Sequence, residues 1–201
     1  MNALSERHFD ALSEIIKNAT SRAVQGLSEM IGESLQPSVL NVELVKIENV
    51  TPETLLLKNK NFGVLTQPFT GLVSAELMLL FAQENVLQIV QRMLGAEADI
   101  ETVQECESEA MCELGNIMMN AYLSSIADTL HMPIDSAVPC YTTKTQDDVA
   151  QYIKNDTKTD FVFASHVELD IEQNEIEGKL LLLVNSDSLA HITNKIDALA
   201  Q

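Results

Sequence analysis

Apolar residues recur at three- and four-residue steps from Leu12 to Ile31, through Ile15, Ile16, Ala19, Ala23, Leu27 and Met30. That period predicts a long amphipathic helix over residues 5–35, bracketed at its end by Gly32 and Pro37. The pattern then changes to short runs. Residues 38–47 predict a strand with Val42 and Leu44 inward, and with Val39 and Ile47 as further candidates for burial. Thr51-Pro52-Glu53 signals a turn, and residues 54–58 with 62–65 predict a second strand interrupted at 59–61. The dense apolar run 69–81 predicts a third strand, 83–94 a short helix ended by Gly95, and 96–100 an acidic connector. A second long helix is expected over 103–130, with Pro133 marking its exit. Beyond it the pattern predicts a strand over 137–145, then a polar stretch at 146–158 holding a short helix at 147–153. A strand over 161–169, a turn at 172–175, a buried strand over 178–184 and a terminal helix capped by Ser186 or Asp187 complete the order.

Long helix, strands, short helix, then long helix, strands, helix: the order repeats. It predicts one domain over 1–201 built from two similar halves, about 5–100 and 101–201. The second long helix is apolar on most sides. Its polar residues Glu109, Glu113, Asn116 and Asn120 fall at about 0°, 40°, 340° and 20° around the axis, one narrow stripe. Met111, Leu114, Met118, Tyr122 and Ser125 lie roughly opposite and are expected in the core. A helix buried on most sides turns such a stripe to solvent or to a partner, so the stripe is the functional candidate. The first helix carries Asp10, Glu14, Lys17 and Ser21 at the same spacing.

Composition narrows the classes. With 46% hydrophobic residues the chain is globular. It has no apolar run of transmembrane length and no basic-then-apolar start, so a cytoplasmic location is expected. A net charge of −18 repels phosphate backbones and anionic lipid, which argues against nucleic acid and membrane as partners and leaves basic protein patches. Cys106, Cys112 and Cys140 follow no zinc-like spacing and read as reduced structural thiols. His8, His131, His166 and His191 are scattered, and no HExxH, Gly-rich phosphate loop or GxSxG occurs, so no metal site is expected.

Glu113-Leu114-Gly115-Asn116-Ile117 resembles the helix signature of the CheC/CheX/FliY chemotaxis phosphatases of two-component signalling. That signature is an acidic residue or serine, three residues, Glu, two residues, Asn, and a proline 23 positions on, where this chain has Pro139. Asn120 matches a recurring later asparagine, and Phe69-Thr70-Gly71 and Leu94-Gly95 echo flanking segments. Glu109 stands where Asp or Ser is usual. On the first helix Asp10 and Glu14 keep their positions, but Lys17 replaces the asparagine and Leu40 the spaced proline, with Pro37 three short. An ammonium only donates hydrogen bonds, whereas an amide both donates and accepts. The first site is therefore expected to be degenerate.

The resemblance implies an α+β fold: a CheC-like pseudo-twofold repeat with a mixed, mainly antiparallel sheet flanked by two long helices. It implies hydrolysis of the aspartyl phosphate of a CheY-like response regulator. Glu113 would anchor the regulator's lysine and Asn116 would orient the attacking water, with Glu109, Asn120 and Pro139 in supporting roles. No cofactor would be bound by this chain, because the regulator supplies Mg²⁺. The alternative is a non-catalytic adaptor for a response regulator, a CheD-like deamidase or a flagellar switch. The chain ends without a FliN-like extension, which argues against a FliY-type switch component. The resemblance leaves open a two-site monomer, as in CheC, or a homodimer, as in CheX.

Overall fold

A hydroxyl starts the first helix, α1 (Glu6–Ile31): Ser5 Oγ accepts the His8 backbone N–H at 3.3 Å. Gly32 closes it in a left-handed conformation, four residues before the expected end. The computed structural model describes residues 4–33, 35, 37–95, 97–171 and 174–199. Strand β1 (Pro37–Lys46) and a short 3-10 turn (Ile47–Asn49) follow.

The strand expected at 54–58 is not formed. Thr51 and Thr54 bond each other's backbone N–H through their hydroxyls, at 2.8 and 3.2 Å, and hold this segment as turns. Leu55 and Leu57 are nevertheless buried, which is why the segment alternates like a strand. Strand β2 runs over Asn61–Gly71 and β3 over Ala75–Ala82. The run 69–81 is therefore the corner of a hairpin and not one strand. Gly71 makes the corner at φ 145°, where a Cβ would lie 2.5 Å from the Pro133 carbonyl oxygen.

Helix α2 (Gln83–Leu94) ends at Gly95 as expected. Helix α3 (Ile100–Leu130) starts three residues earlier than its apolar period suggests, because Asp99 caps it by accepting the Thr102 N–H at 2.9 Å. The strand expected at 137–145 forms as β5 (Cys140–Thr145), three residues late, and a short strand that was not expected, β4 (Ile134–Ser136), precedes it; both pair with β2. The break between them falls opposite Gln67 and Pro68. Pro68 has no N–H for a facing strand, so the chain at 137–139 leaves the ladder, held by Ala137 N–H to Pro68 O at 3.0 Å. Helix α4 (Gln146–Asn155) is longer than expected, with a Thr145–Asp148 capping box. Strands β6 (Phe161–Ile171) and β7 (Asn174–Val184) and helix α5 (Ser186–Leu199) complete the chain. Asn185, not Ser186 or Asp187, caps α5: its Oδ1 accepts the Ser188 N–H at 2.7 Å. Residues 172 and 173 of the expected turn lie outside the described residues.

The strands form one sheet in the order β1-β6-β7-β3-β2-β4, with β5 beside β4 along β2. Every described pairing is antiparallel, in keeping with the mainly antiparallel sheet expected. Exchanging β1 with β4/β5, β2 with β6 and β3 with β7 reverses the order onto itself, the topology of a pseudo-twofold. Helices α1 and α3 pack side by side with α2 and α5 on one face, over Leu65, Phe69, Leu77 and Phe163. The other face is covered by α4 and the turns carrying Leu55 and Leu57. The functional candidate therefore rides on a helix wedged between sheet and neighbouring helices.

Candidate functional site

Along α3, Met111, Leu114, Met118, Met119 and Tyr122 are buried, while Glu109, Glu113 and Asn116 are exposed and Asn120 is half-buried. The structure thus brings the expected stripe together on the outer surface of an otherwise packed helix. Gly115 sets how deep the helix sits. A Cβ there would lie 2.9 Å from Leu65 Cδ2 and 3.3 Å from Pro139 Cβ, so the turn bearing Glu113 and Asn116 rests directly on β2 and the 137–139 segment. Pro139 is buried beneath that turn and takes its place in the packing, away from the exposed stripe.

A line of amides runs from the core to the stripe. Gln67, fully buried on β2, donates from Nε2 to Ala137 O at 2.8 Å and to Asn120 Oδ1 at 2.9 Å. Ser136 Oγ donates to the same Asn120 oxygen at 3.3 Å. Asn120 Nδ2 in turn donates to Asn116 Oδ1 at 2.9 Å. Gln67 was not anticipated from the sequence. The signal was there: a glutamine at the inward parity of Leu65 and Phe69, in a strand with a buried face.

Beside the stripe lies an open groove of about 560 Å³ between α2, α3 and the 137–139 segment, lined by Met93, Leu94, Cys106, Cys112, Glu113 and Val138. Val138 is 84% exposed and Leu94 42%, so the groove has an apolar rim next to two carboxylates and an amide. One turn towards the helix start, Tyr141 Oη donates to Glu107 Oε1 at 2.5 Å, and Gln83 Nε2 donates to the same oxygen at 3.0 Å. Burial and the Glu107 carboxylate push the Tyr141 phenol well above its ordinary value, so this tie stays protonated. Cys106, Cys112 and Cys140 are free thiols.

The first helix gathers Asp10, Glu14 and Lys17 around a smaller hollow of about 350 Å³, but with different bonding. Lys17 Nζ lies 4.0 Å from Glu14 Oε2, giving that carboxylate a cation within its own chain. Ser21 Oγ turns back to Lys17 O at 3.0 Å and makes no side-chain link along the stripe.

A different cluster could hold a metal. Ligand atoms of His166, Glu168 and Glu177 lie within 4.8 Å of one another at neighbouring positions of the paired strands β6 and β7. Lys179 sits in the same cluster, its Nζ 2.6 Å from His166 Nδ1, and supplies a positive charge to the two carboxylates itself. Burial, chiefly, lowers the Lys179 ammonium to about 8 and also pulls His166 down. A lysine lowered in the folded state binds its proton less readily there than in the unfolded chain. Stability should therefore rise between about pH 8 and the ordinary 10.5. Urea unfolding at pH 7, 8 and 9.5 should show a rise in stability of up to about 2 kcal/mol that Lys179→Met flattens.

No family model matches the chain. CheC1 of Halobacterium salinarum, provisionally named a CheY-P phosphatase, is 19% identical over 191 residues, which cover 94% of this chain and 96% of that protein. Among solved structures, Thermotoga maritima FliY superposes with a TM-score of 0.75 at 19% identity, over 97% of this chain and 98% of that one. The FliM middle domain of H. pylori gives 0.62 at 10% identity, over 96% and 99%. A CheX–CheY–BeF3–Mg complex from Borrelia burgdorferi gives 0.52 at 15% identity, over 86% and 96%. At these identities the structural likeness establishes a shared fold.

Proposed function

From a chain that resembles the CheC/CheX/FliY family along nearly its whole length and shares its fold, we propose a phosphatase acting on the aspartyl phosphate of a CheY-like response regulator. The observation that carries this reading is the pairing of Glu113 and Asn116: both exposed, one turn apart, on a rigidly seated helix beside an apolar rim. Glu113 pairs with a lysine of the regulator and holds α3 across the phosphorylated site. Asn116 positions a water in line with phosphorus. As the water oxygen bonds to phosphorus, the bond from phosphorus to the aspartyl oxygen breaks. A water proton passes to the departing phosphate, leaving carboxylate and inorganic phosphate. An acyl phosphate is labile, so orientation and charge placement suffice without a nucleophile on this chain. The regulator contributes the Mg²⁺ and its own lysine.

The test is the decay of a phosphorylated CheY-like regulator, in Mg²⁺, with and without the wild-type chain. Acceleration of about tenfold or more is expected from a positioned water. Identical decay would remove the enzyme reading. A binding module is the second reading, favoured by the FliM likeness. It predicts a complex with the beryllofluoride-loaded regulator together with unchanged decay.

A further inference from the structure

We propose that Gln67 is a positioning residue: acting through Asn120, it fixes which end of the Asn116 amide is offered to the regulator. The inference deepens the phosphatase reading and, for its catalytic consequence, rests on it. The polarity of the amide line follows from one atom that cannot change its role. Ala137 O is a backbone carbonyl and only accepts, so the Gln67 end that meets it at 2.8 Å is the NH2. The second hydrogen of that NH2 points at Asn120, so the Asn120 atom at 2.9 Å is its oxygen. The Ser136 hydroxyl, 3.3 Å from the same atom, donates to it as well. With its oxygen committed inward, Asn120 turns its NH2 along the helix, and the Asn116 atom that meets it at 2.9 Å is again the oxygen. Asn116 therefore holds its carbonyl back and presents its NH2.

An exposed asparagine on a bare helix turns over freely, since both ends of its amide find water. Here a reversal at Asn116 would set its NH2 against that of Asn120, a reversal at Asn120 would set its NH2 against that of Gln67, and a reversal at Gln67 would set its oxygen against the Ala137 carbonyl. Gln67 is fully buried, so no water competes for its hydrogens. The presented NH2 donates to one lone pair of the attacking water and leaves the other for phosphorus. The two halves of the fold differ in step. Strands β2 and β6 have equal length and exchange places under the pseudo-twofold, and the seventh residue is Gln67 in one and the buried Val167 in the other. The half whose helix carries Lys17 in place of the asparagine also lacks the glutamine.

Asn120→Asp tests the relay directly. A carboxylate at 120 still accepts from Gln67 and Ser136 but cannot donate, so Asn116 must turn its NH2 inward. In the free protein the Asn116 side-chain NH2 resonances should shift downfield and exchange more slowly with water. Turnover at saturating regulator should fall about tenfold, while affinity for the beryllofluoride-loaded regulator stays within about twofold. Gln67→Met, similar in size and without donors, should leave the Asn116 amide averaging between its two orientations and cost about threefold in kcat. If that variant fails to fold, Asn120→Asp alone decides. Unchanged Asn116 amide resonances in Asn120→Asp would overturn the relay, as would unchanged turnover beside an active wild type. A wild type inactive on every regulator, yet showing the amide signature, would sink the phosphatase reading and leave the relay standing.

Discussion

Asn116→Ala is expected to slow the dephosphorylation of a CheY-like regulator by about ten- to a hundredfold, the usual cost of deleting a group that positions charge or water in a transition state. The loss should appear in kcat. Asn116 is exposed, its only described side-chain bond is the one from Asn120, and alanine is the better helix former by a few tenths of a kcal/mol. The melting temperature should therefore hold or rise slightly, and the regulator should bind about as before. Single-turnover decay at saturating chain, measured beside a binding isotherm for the beryllofluoride-loaded regulator, separates the two quantities. A variant as fast as the wild type would take Asn116 out of the mechanism. A variant that binds ten times more weakly would make it a docking residue instead.

The helices were the most legible part of the sequence. Residues 6–31, 83–94 and 100–130 carry sustained apolar periods and clear stops, and the stripe on α3 faces outward as its spacing requires. The strands were harder wherever burial did not come from strand pairing. Leu55 and Leu57 pack beneath the sheet from a turn fixed by two threonines, so their alternation mimicked a strand. The hairpin corner at 71–74 lies inside an apolar run, because Val73 is buried there and only Gly71 marks the change of direction. Pro139 was legible as a spaced residue but its work was not. It is packed against Gly115 under the stripe, and the neighbouring Ala137 carbonyl anchors the amide line. That anchor exists because Pro68 breaks the ladder opposite it. A contact built from residues 67, 120 and 137 depends on register between distant strands, and local periodicity carries no information about register.

Reversing one charge should separate anchoring from chemistry. Glu113→Lys is expected to weaken binding of the beryllofluoride-loaded regulator by more than tenfold, and Glu113→Gln by less. In water an exposed pair of this kind contributes about 0.2–1 kcal/mol. When docking dries it, a charge-assisted bond contributes about 1.5–3 kcal/mol, and a like charge facing the regulator's lysine repels it there. The chain carries a net charge of −18, so a single substitution barely alters long-range attraction. The change should therefore lie in dissociation rather than association, and added salt should narrow the gap between the two variants. At saturating regulator, turnover should stay far closer to wild type than in Asn116→Ala. Glu14 supplies the internal comparison. Its carboxylate already has Lys17 at 4.0 Å and no amide beyond it, so Glu14→Lys should leave affinity unchanged. Equal losses from Glu14→Lys and Glu113→Lys would mean that the regulator answers to overall charge, and the anchor would no longer be assignable to α3.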